Sequence, residues 1–153
     1  MSRLPQHIVC LSTETVEVLY LLGEEARIAG ISGFTTHPPR ARKEKPKVSG
    51  FSSAKIERIL AVEPDLVLAF SDLQGEIARD LVKAGVVVHV FNHRSVDGIL
   101  AMIETVGRLV GAEARALALV AELEQSIAAM RAVGDARAAR LGRRPRVYFE
   151  EWN

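Results

Sequence analysis

Apolar residues recur along this chain in two distinct periods. Ile8 to Leu11, Ile28 to Ile31 and Leu66 to Phe70 are short apolar runs that read as strands, as does Val86 to Phe91, which His89 interrupts; the unbroken run Leu66 to Phe70 is the pattern of a strand covered on both faces of a parallel sheet. Between them the apolar positions recur every three or four residues, as on one face of a helix. Val16, Leu19, Tyr20 and Leu22 mark a helix over Glu14 to Leu22, which Gly23 stops. Ile56, Ile59, Leu60 and Val62 mark another over Ala54 to Val62, with Lys55, Glu57 and Arg58 toward water. Further helices are predicted over Leu73 to Ala84, closed by Gly85, and over Val96 to Val110. From Ala112 to about Val133, Ala116, Val120, Leu123, Ile127 and Met130 form a seam along one long helix.

Polar residues punctuate this pattern. Ser12 and Thr13 sit where an N-cap belongs, Ser52 or Ser53 can cap the helix from Ala54, and Ser71 with Asp72 opens the one after it. Glu63-Pro64-Asp65 ends the Ala54 helix. The segment from Ser32 through Pro38-Pro39 to Pro46 reads as one long loop, and segments of that length are commonly functional or mobile. Gly134 to Pro145 reads as a basic linker, and Arg146 to Phe149 as the opening of a fresh strand.

Strands alternating with helices predict an α/β fold, a three-layer lobe around a mainly parallel sheet followed by one long helix. Such sheets bind ligands beyond the carboxyl ends of their strands. The strand exits are Ser12-Thr13-Glu14, Ser32 to His37, Ser71-Asp72 and Asn92-His93-Arg94-Ser95. They share one edge and make it the candidate site, with Thr13, Ser71, Asp72, Asn92 and Arg94 as its polar groups. A phrase repeats nearby: Ser32-Gly33-Phe34 is echoed by Ser49-Gly50-Phe51. The two turns either set both rings on one rim or tuck them into the local core, and the sequence leaves both arrangements open.

Composition narrows the function classes. The 153 residues fit one ordinary domain, and 48% hydrophobic with 25% charged residues is the balance of a globular chain. A net charge of +1 provides no field for holding nucleic acid. The basic runs Arg40-Arg42-Lys43-Lys45-Lys47 and Arg137-Arg140-Arg143-Arg144-Arg146 read as solvated loops. The single cysteine, Cys10, lies in an apolar run and reads as an inert buried thiol. No phosphate-binding glycine loop and no nucleophile elbow is present. His7, His37, His89 and His93 are too dispersed for a metal centre, so neither metal nor cofactor is expected. Glu14 and Asp72 sit where helix starts favour acids, and no catalytic residue is assigned. Aromatics, hydroxyls, an amide and an arginine at one edge suit a small-molecule binding site.

A longer match accumulates in Gly30-Ile31-Ser32-Gly33-Phe34, His37-Pro38-Pro39, Val48-Ser49-Gly50-Phe51 and the block Glu57 to Val67 within Ile56 to Val67. Over nearly the whole chain this resembles the substrate-binding proteins of ABC importers for cobalamin and iron-siderophores, the helical-backbone class of periplasmic binding proteins. The closing phrase Val147 to Trp152 looks like the start of the second lobe in the cobalamin-like branch. The resemblance implies two α/β lobes joined by a long helix, with ligand in the cleft between them. It divides the chain into an N-terminal lobe over 1–111, a bridging helix over 112–133, and a linker with the first strand of the other lobe over 134–153.

By the same resemblance Phe34 and Phe51 contact the ligand, a corrinoid or a ferric siderophore. Glu57 lies on the lobe's outer surface and pairs with arginines of the permease, the only route to a membrane. Residence is then periplasmic or at the cell surface if a leader precedes the chain; as written, without an apolar leader, the chain reads as cytoplasmic. Two rival expectations stand beside this: a lobe of the same fold that self-associates in the cytosol through its exposed apolar face, and a small α/β enzyme with an unrecognised site.

Overall fold

The structure, a computed structural model, describes residues 3–150, so Glu151 and Trp152 of the closing phrase lie outside the described residues. Ile8–Cys10 (β1), Ile28–Ser32 (β2), Lys47–Ser49 (β3), Leu66–Phe70 (β4) and Val88–Phe91 (β5) form one sheet in the order β3-β2-β1-β4-β5. Every ladder between them is parallel, with Cys10 beside Ile31 on one side and Leu68 on the other. The helices are Thr13–Leu21 (α1), Ala41–Glu44 (α2), Ile56–Leu60 (α3), Gly75–Lys83 (α4), Val96–Val110 (α5) and Glu113–Leu141 (α6), with short 3-10 turns at Glu25–Arg27 and Asp72–Gln74.

Alternation along the strands sends successive side chains to opposite faces. Val9, Leu11, Val67 and Ala69 meet Ile59 of α3 and Ile77 and Leu81 of α4 in one core cluster. Their neighbours Ile8, Cys10 and Leu68, also fully buried, therefore point to the other face, where α1 packs against α5. The α/β lobe with a parallel sheet is the architecture the sequence predicts. The chain divides into two compact units, a first ending at Leu117 and a second starting at Ala118.

Several local expectations are corrected. The loop from Ser32 to Pro46 is interrupted by α2 and runs directly into β3, a strand that the apolar pattern misses because only Val48 of its three residues is buried. A short edge strand carrying lysine is what guards a sheet margin against further pairing. The helix of Ala54 to Val62 is shorter, Ile56–Leu60, and its N-cap is Lys55 with no side-chain cap, so neither Ser52 nor Ser53 fills that role. Residue Ala54 is instead drawn into an antiparallel bridge with Ser49. The long helix does not stop at Val133: α6 continues through Gly134 to Leu141, because one glycine costs only about 1 kcal/mol in a helix interior. Arg146 to Phe149 forms no strand, since a strand exists only as part of a ladder and none reaches it among the described residues.

The first basic run is not a solvated loop either. Arg42 Nη1 donates to the carbonyls of Gly33 and Thr35, Lys45 Nζ to that of Glu25 at 2.7 Å, and Lys47 Nζ to that of Arg42. Arg40 pairs with Glu25 at 3.1 Å and lies over the Tyr20 ring. Loop carbonyls with no ladder partner need donors, and these side chains supply them.

Glu24 anchors a second charged cluster, bonded to Arg27 Nε at 2.5 Å and to Arg115 Nη2 at the start of α6. Burial pushes its carboxyl upward, and the hydrogen bonds from the two guanidinium groups outweigh that and hold it below the ordinary glutamate range. A depressed folded-state value contributes stability above the unfolded carboxylate's range, lost as pH falls through the folded value. Glu24→Gln is therefore expected to cost about 1–2 kcal/mol near neutrality, discounted because Arg115 is half exposed. In thermal melts the gap between wild type and variant should close below about pH 4; a gap independent of pH contradicts the ionic role.

Candidate functional site

Because all five strands are parallel, their carboxyl ends emerge at one edge of the sheet. The chain leaves β1 toward β2 and later crosses back to β4, so the boundary between β1 and β4 is the place where connections diverge to opposite faces. Open α/β sheets bind ligands at such a boundary. Buried serines turn the chain at three of these exits: Ser12 after β1, Ser32 at the end of β2 and Ser71 after β4. Ser32 Oγ accepts from Phe34 N at 3.2 Å and Ser71 Oγ from Leu73 N at 3.3 Å, local bonds that a short hydroxyl side chain makes easily. Ser12 is the N-cap of α1, yet its side chain caps nothing; its carbonyl accepts from Thr15 Oγ1 at 3.2 Å.

The two Ser-Gly-Phe turns meet. Gly33 N donates to Ser49 O at 2.8 Å, and a methyl group placed on Gly50 would sit 3.8 Å from Cε2 of the Phe34 ring. Three successive carbonyls of the first turn are tied down: Gly33 and Thr35 by Arg42, at 2.6 and 2.8 Å, and Phe34 by Thr13 Oγ1 at 3.3 Å. The backbone around Phe34 is thus held firmly while its ring is 68% exposed. Phe51 is half-buried. Of the two open arrangements, Phe34 takes the rim and Phe51 an intermediate position.

At the other end of the edge, Asp72 and Arg94 approach at 3.4 Å, and the Arg94 guanidinium lies 5.3 Å from the centre of the Phe70 ring. The His93 ring lies against the same ring, tilted by 49° with centroids 5.0 Å apart, and Asn92 is exposed next to it in sequence. The predicted polar residues therefore fall into two groups, Thr13 with the Phe34 turn, and Ser71, Asp72, Asn92 and Arg94 around Phe70. Parallel strands lie about 4.8 Å apart, so the exits of β2 and β5 stand about 14 Å from each other. A ligand reaching from the β2 exit to the β5 exit must be large.

Ser71 carries a strain that no pattern in the sequence announces. Its backbone lies at φ 63 and ψ 174, a combination almost confined to glycine and costing about 1–3 kcal/mol. Its N–H donates to Phe91 O at 2.7 Å and its carbonyl accepts from Gln74 N at 3.3 Å, which hold the conformation in place. Gln74 and Arg42 are the other residues that sequence reasoning misses. A glutamine at a helix start and an arginine in a basic run look like surface residues, and only their carbonyl partners reveal otherwise.

Glu57 is exposed in the first turn of α3, with Lys55 and Arg58 exposed beside it and Ile59 buried beneath. A depression of about 290 Å³ lined by Gly50, Ser53, Lys55 and Arg58 opens next to this turn. Burial pushes the Cys10 thiol up to about 12, so it supplies no thiolate near neutrality. Among the described residues no group of three His, Cys, Asp or Glu side chains is placed to hold a metal ion, and no helix is long and apolar enough to cross a membrane. The edge offers an exposed ring, hydroxyls and one ion pair, a set that can bind and orient a solute.

Comparison with known proteins agrees with this architecture. The cobalamin-binding protein of Halobacterium salinarum is 34% identical over 149 residues, 95% of this chain and 39% of that protein. Among solved structures, a periplasmic heme-binding protein from Pseudomonas aeruginosa superposes with a TM-score of 0.80 at 25% identity, covering 90% of this chain and 49% of that one. The periplasmic vitamin B12-binding protein of Vibrio cholerae shares the fold, with a TM-score of 0.76 at 20% identity over 86% of this chain and 51% of the other. The chain spans about half or less of the length of these relatives. The sequence profile described as periplasmic binding protein matches residues 8–153, and the chain belongs to that family.

Proposed function

We propose that this chain is the ligand-capturing lobe of an ABC importer's substrate-binding protein, acting by binding and without chemistry, on a corrinoid first and a ferric siderophore second. The observation that carries this reading is the Phe34 turn, an exposed ring on a backbone whose three carbonyls are all bonded. A rigid aromatic presented to solvent lowers the ordering cost of stacking against a flat, apolar solute surface. The breadth of the edge, about 14 Å between the β2 and β5 exits, accords with a solute of macrocycle size. The halobacterial relative, named for cobalamin, favours the corrinoid. Phe34 and Phe51 meet the solute's flat face, while Thr13, Ser71, Asp72, Asn92 and Arg94 bond its polar periphery. Such a protein works outside the cytoplasmic membrane.

Calorimetric titration of this chain with cyanocobalamin, a ferric hydroxamate siderophore and hemin tests the reading. Cyanocobalamin is expected to bind most tightly, and no binding of any of them at micromolar concentration overturns it. In the same reading Glu57 docks the lobe onto the permease. Glu57→Ala should leave solute affinity unchanged and lower uptake in a reconstituted transporter by about two- to fivefold, as one exposed ion pair warrants. Equal losses in binding and uptake argue against docking.

A further inference from the structure

The side chain of Gln74 is wholly buried, at 0% exposure. A buried carboxamide is tolerated only when its polar atoms find partners, and here each one does. Nε2 donates to Leu11 O at 2.9 Å and to Phe51 O at 2.8 Å, while Oε1 accepts from Phe70 N at 2.8 Å. The orientation of the amide follows from these partners, since turning it over would set Oε1 against two carbonyl oxygens.

The three partners come from three different exits. Leu11 follows β1, Phe70 ends β4, and Phe51 lies two residues past the end of β3. In the sheet β3 and β4 are separated by β2 and β1, so their ends stand about 14 Å apart, far beyond the reach of one glutamine side chain. The turn after β3 must therefore lean across the carboxyl ends of its neighbours to meet Gln74. Gly33 N to Ser49 O and Gly50 N to Ser53 O, both 2.8 Å, fix where that turn begins and how tightly it folds. The Phe51 peptide consequently lies at the boundary between β1 and β4 and not above its own strand.

We propose that Gln74 is the positioning residue of this site: its amide fixes the Phe51 peptide at the β1–β4 boundary, so that the ring is in place before a solute arrives. The proposal rests on the binding reading above and adds to it the device that preorganises one of its two rings. Glutamine is the side chain this role requires. It alone, at this length, offers two donors to the two carbonyls and one acceptor to the Phe70 amide; glutamate lacks the donors and methionine lacks all three. A ring held in its bound position avoids an ordering cost on binding, and releasing it is read as lost affinity.

The test uses the chain labelled with 4-fluorophenylalanine, whose five phenylalanines, Phe34, Phe51, Phe70, Phe91 and Phe149, give separable fluorine lines assigned by single Phe→Leu changes. In Gln74→Glu the Phe51 line is expected to shift and broaden while the lines of Phe34 and Phe149 stay in place, and affinity for cyanocobalamin to fall by about tenfold or more. A folded Gln74→Glu protein with an unmoved Phe51 line overturns the proposal, even if its melting temperature has dropped, because that is the signature of a merely space-filling residue. Should Gln74→Glu not fold, Gln74→Asn, too short to reach both carbonyls, is read in the same way. Wild type provides a check free of variants: both Gln74 side-chain amide protons should exchange at least about a hundredfold more slowly than those of exposed Gln125, as buried bonded donors do, and equal rates overturn the geometry. If cyanocobalamin binds neither protein, the corrinoid reading fails and the fluorine lines alone decide the role of Gln74.

Discussion

Phe34→Ala is expected to weaken cyanocobalamin binding by about ten- to a hundredfold, the loss of an aromatic anchor worth about 1.4–2.8 kcal/mol. The same change should move folding stability by no more than about 0.5 kcal/mol, because a ring exposed to 68% packs little against its own lobe. That separation is the discriminating feature. Its turn is held through backbone carbonyls, by Thr13 and Arg42, and alanine keeps every one of those carbonyls. Phe34→Trp should retain or tighten binding, since a larger flat surface occupies the same firmly held position. Calorimetry on the two variants beside thermal melts settles the matter. Unchanged affinity in Phe34→Ala would remove this ring from the site, and a stability loss above about 1 kcal/mol would show that it packs inward.

The largest effect expected on stability is at Gly107, on the buried side of α5. A Cβ added there would fall 2.3 Å from the Cβ of Ala116 and 3.4 Å from the carbonyl of Ala112, where the first turns of α6 press against α5. Neither contact can swing aside: one atom is fixed to the backbone and the other belongs to it. Helix propensity favours alanine over glycine by about 1 kcal/mol, and overpacking in a buried contact costs about 1–3 kcal/mol or more. At a separation this short the overlap dominates. Gly107→Ala should therefore destabilise by about 2 kcal/mol, or roughly 4–8 °C in the melting temperature of a chain of this size. Pairing it with Ala116→Gly should restore about half or more of the loss, since the second change removes the struck atom. If Gly107→Ala instead raises the melting temperature, propensity has won and the close approach of the two helices is wrong.

Most of the scaffold was legible before folding. Three of the five strands are apolar runs and β5 is one interrupted by His89, and their period separates them from the helical spacing of α1, α4 and α5. The exception, β3, has a single buried residue, Val48, and becomes a strand because β2 lies beside it. The placement of the candidate residues was legible to the extent that a parallel sheet brings its exits to one edge. Thr13, Phe34, Ser71, Asp72, Asn92 and Arg94 do stand there, but as two groups and not one. What went unread is how those groups are held. Arg42, Lys45 and Lys47 resembled solvated charges because nothing adjacent in the chain shows a carbonyl waiting for a donor. Ser71 resembled a helix cap, which it is, while its strained backbone depends on the Phe91 carbonyl of the next strand.

The boundary between the two kinds of information follows the range of the interactions. Hydrophobic period, glycine stops at positions such as Gly23 and Gly85, and the absence of catalytic motifs are properties of short windows, and they determine the α/β lobe, its parallel sheet and its candidate edge. The clasp on Phe51 belongs to the other kind. Gln74 reaches Phe51 across 23 residues of sequence and Leu11 across 63. Those partners are chosen by the order β3-β2-β1-β4-β5, which is decided only when the whole sheet buries its two apolar faces at once.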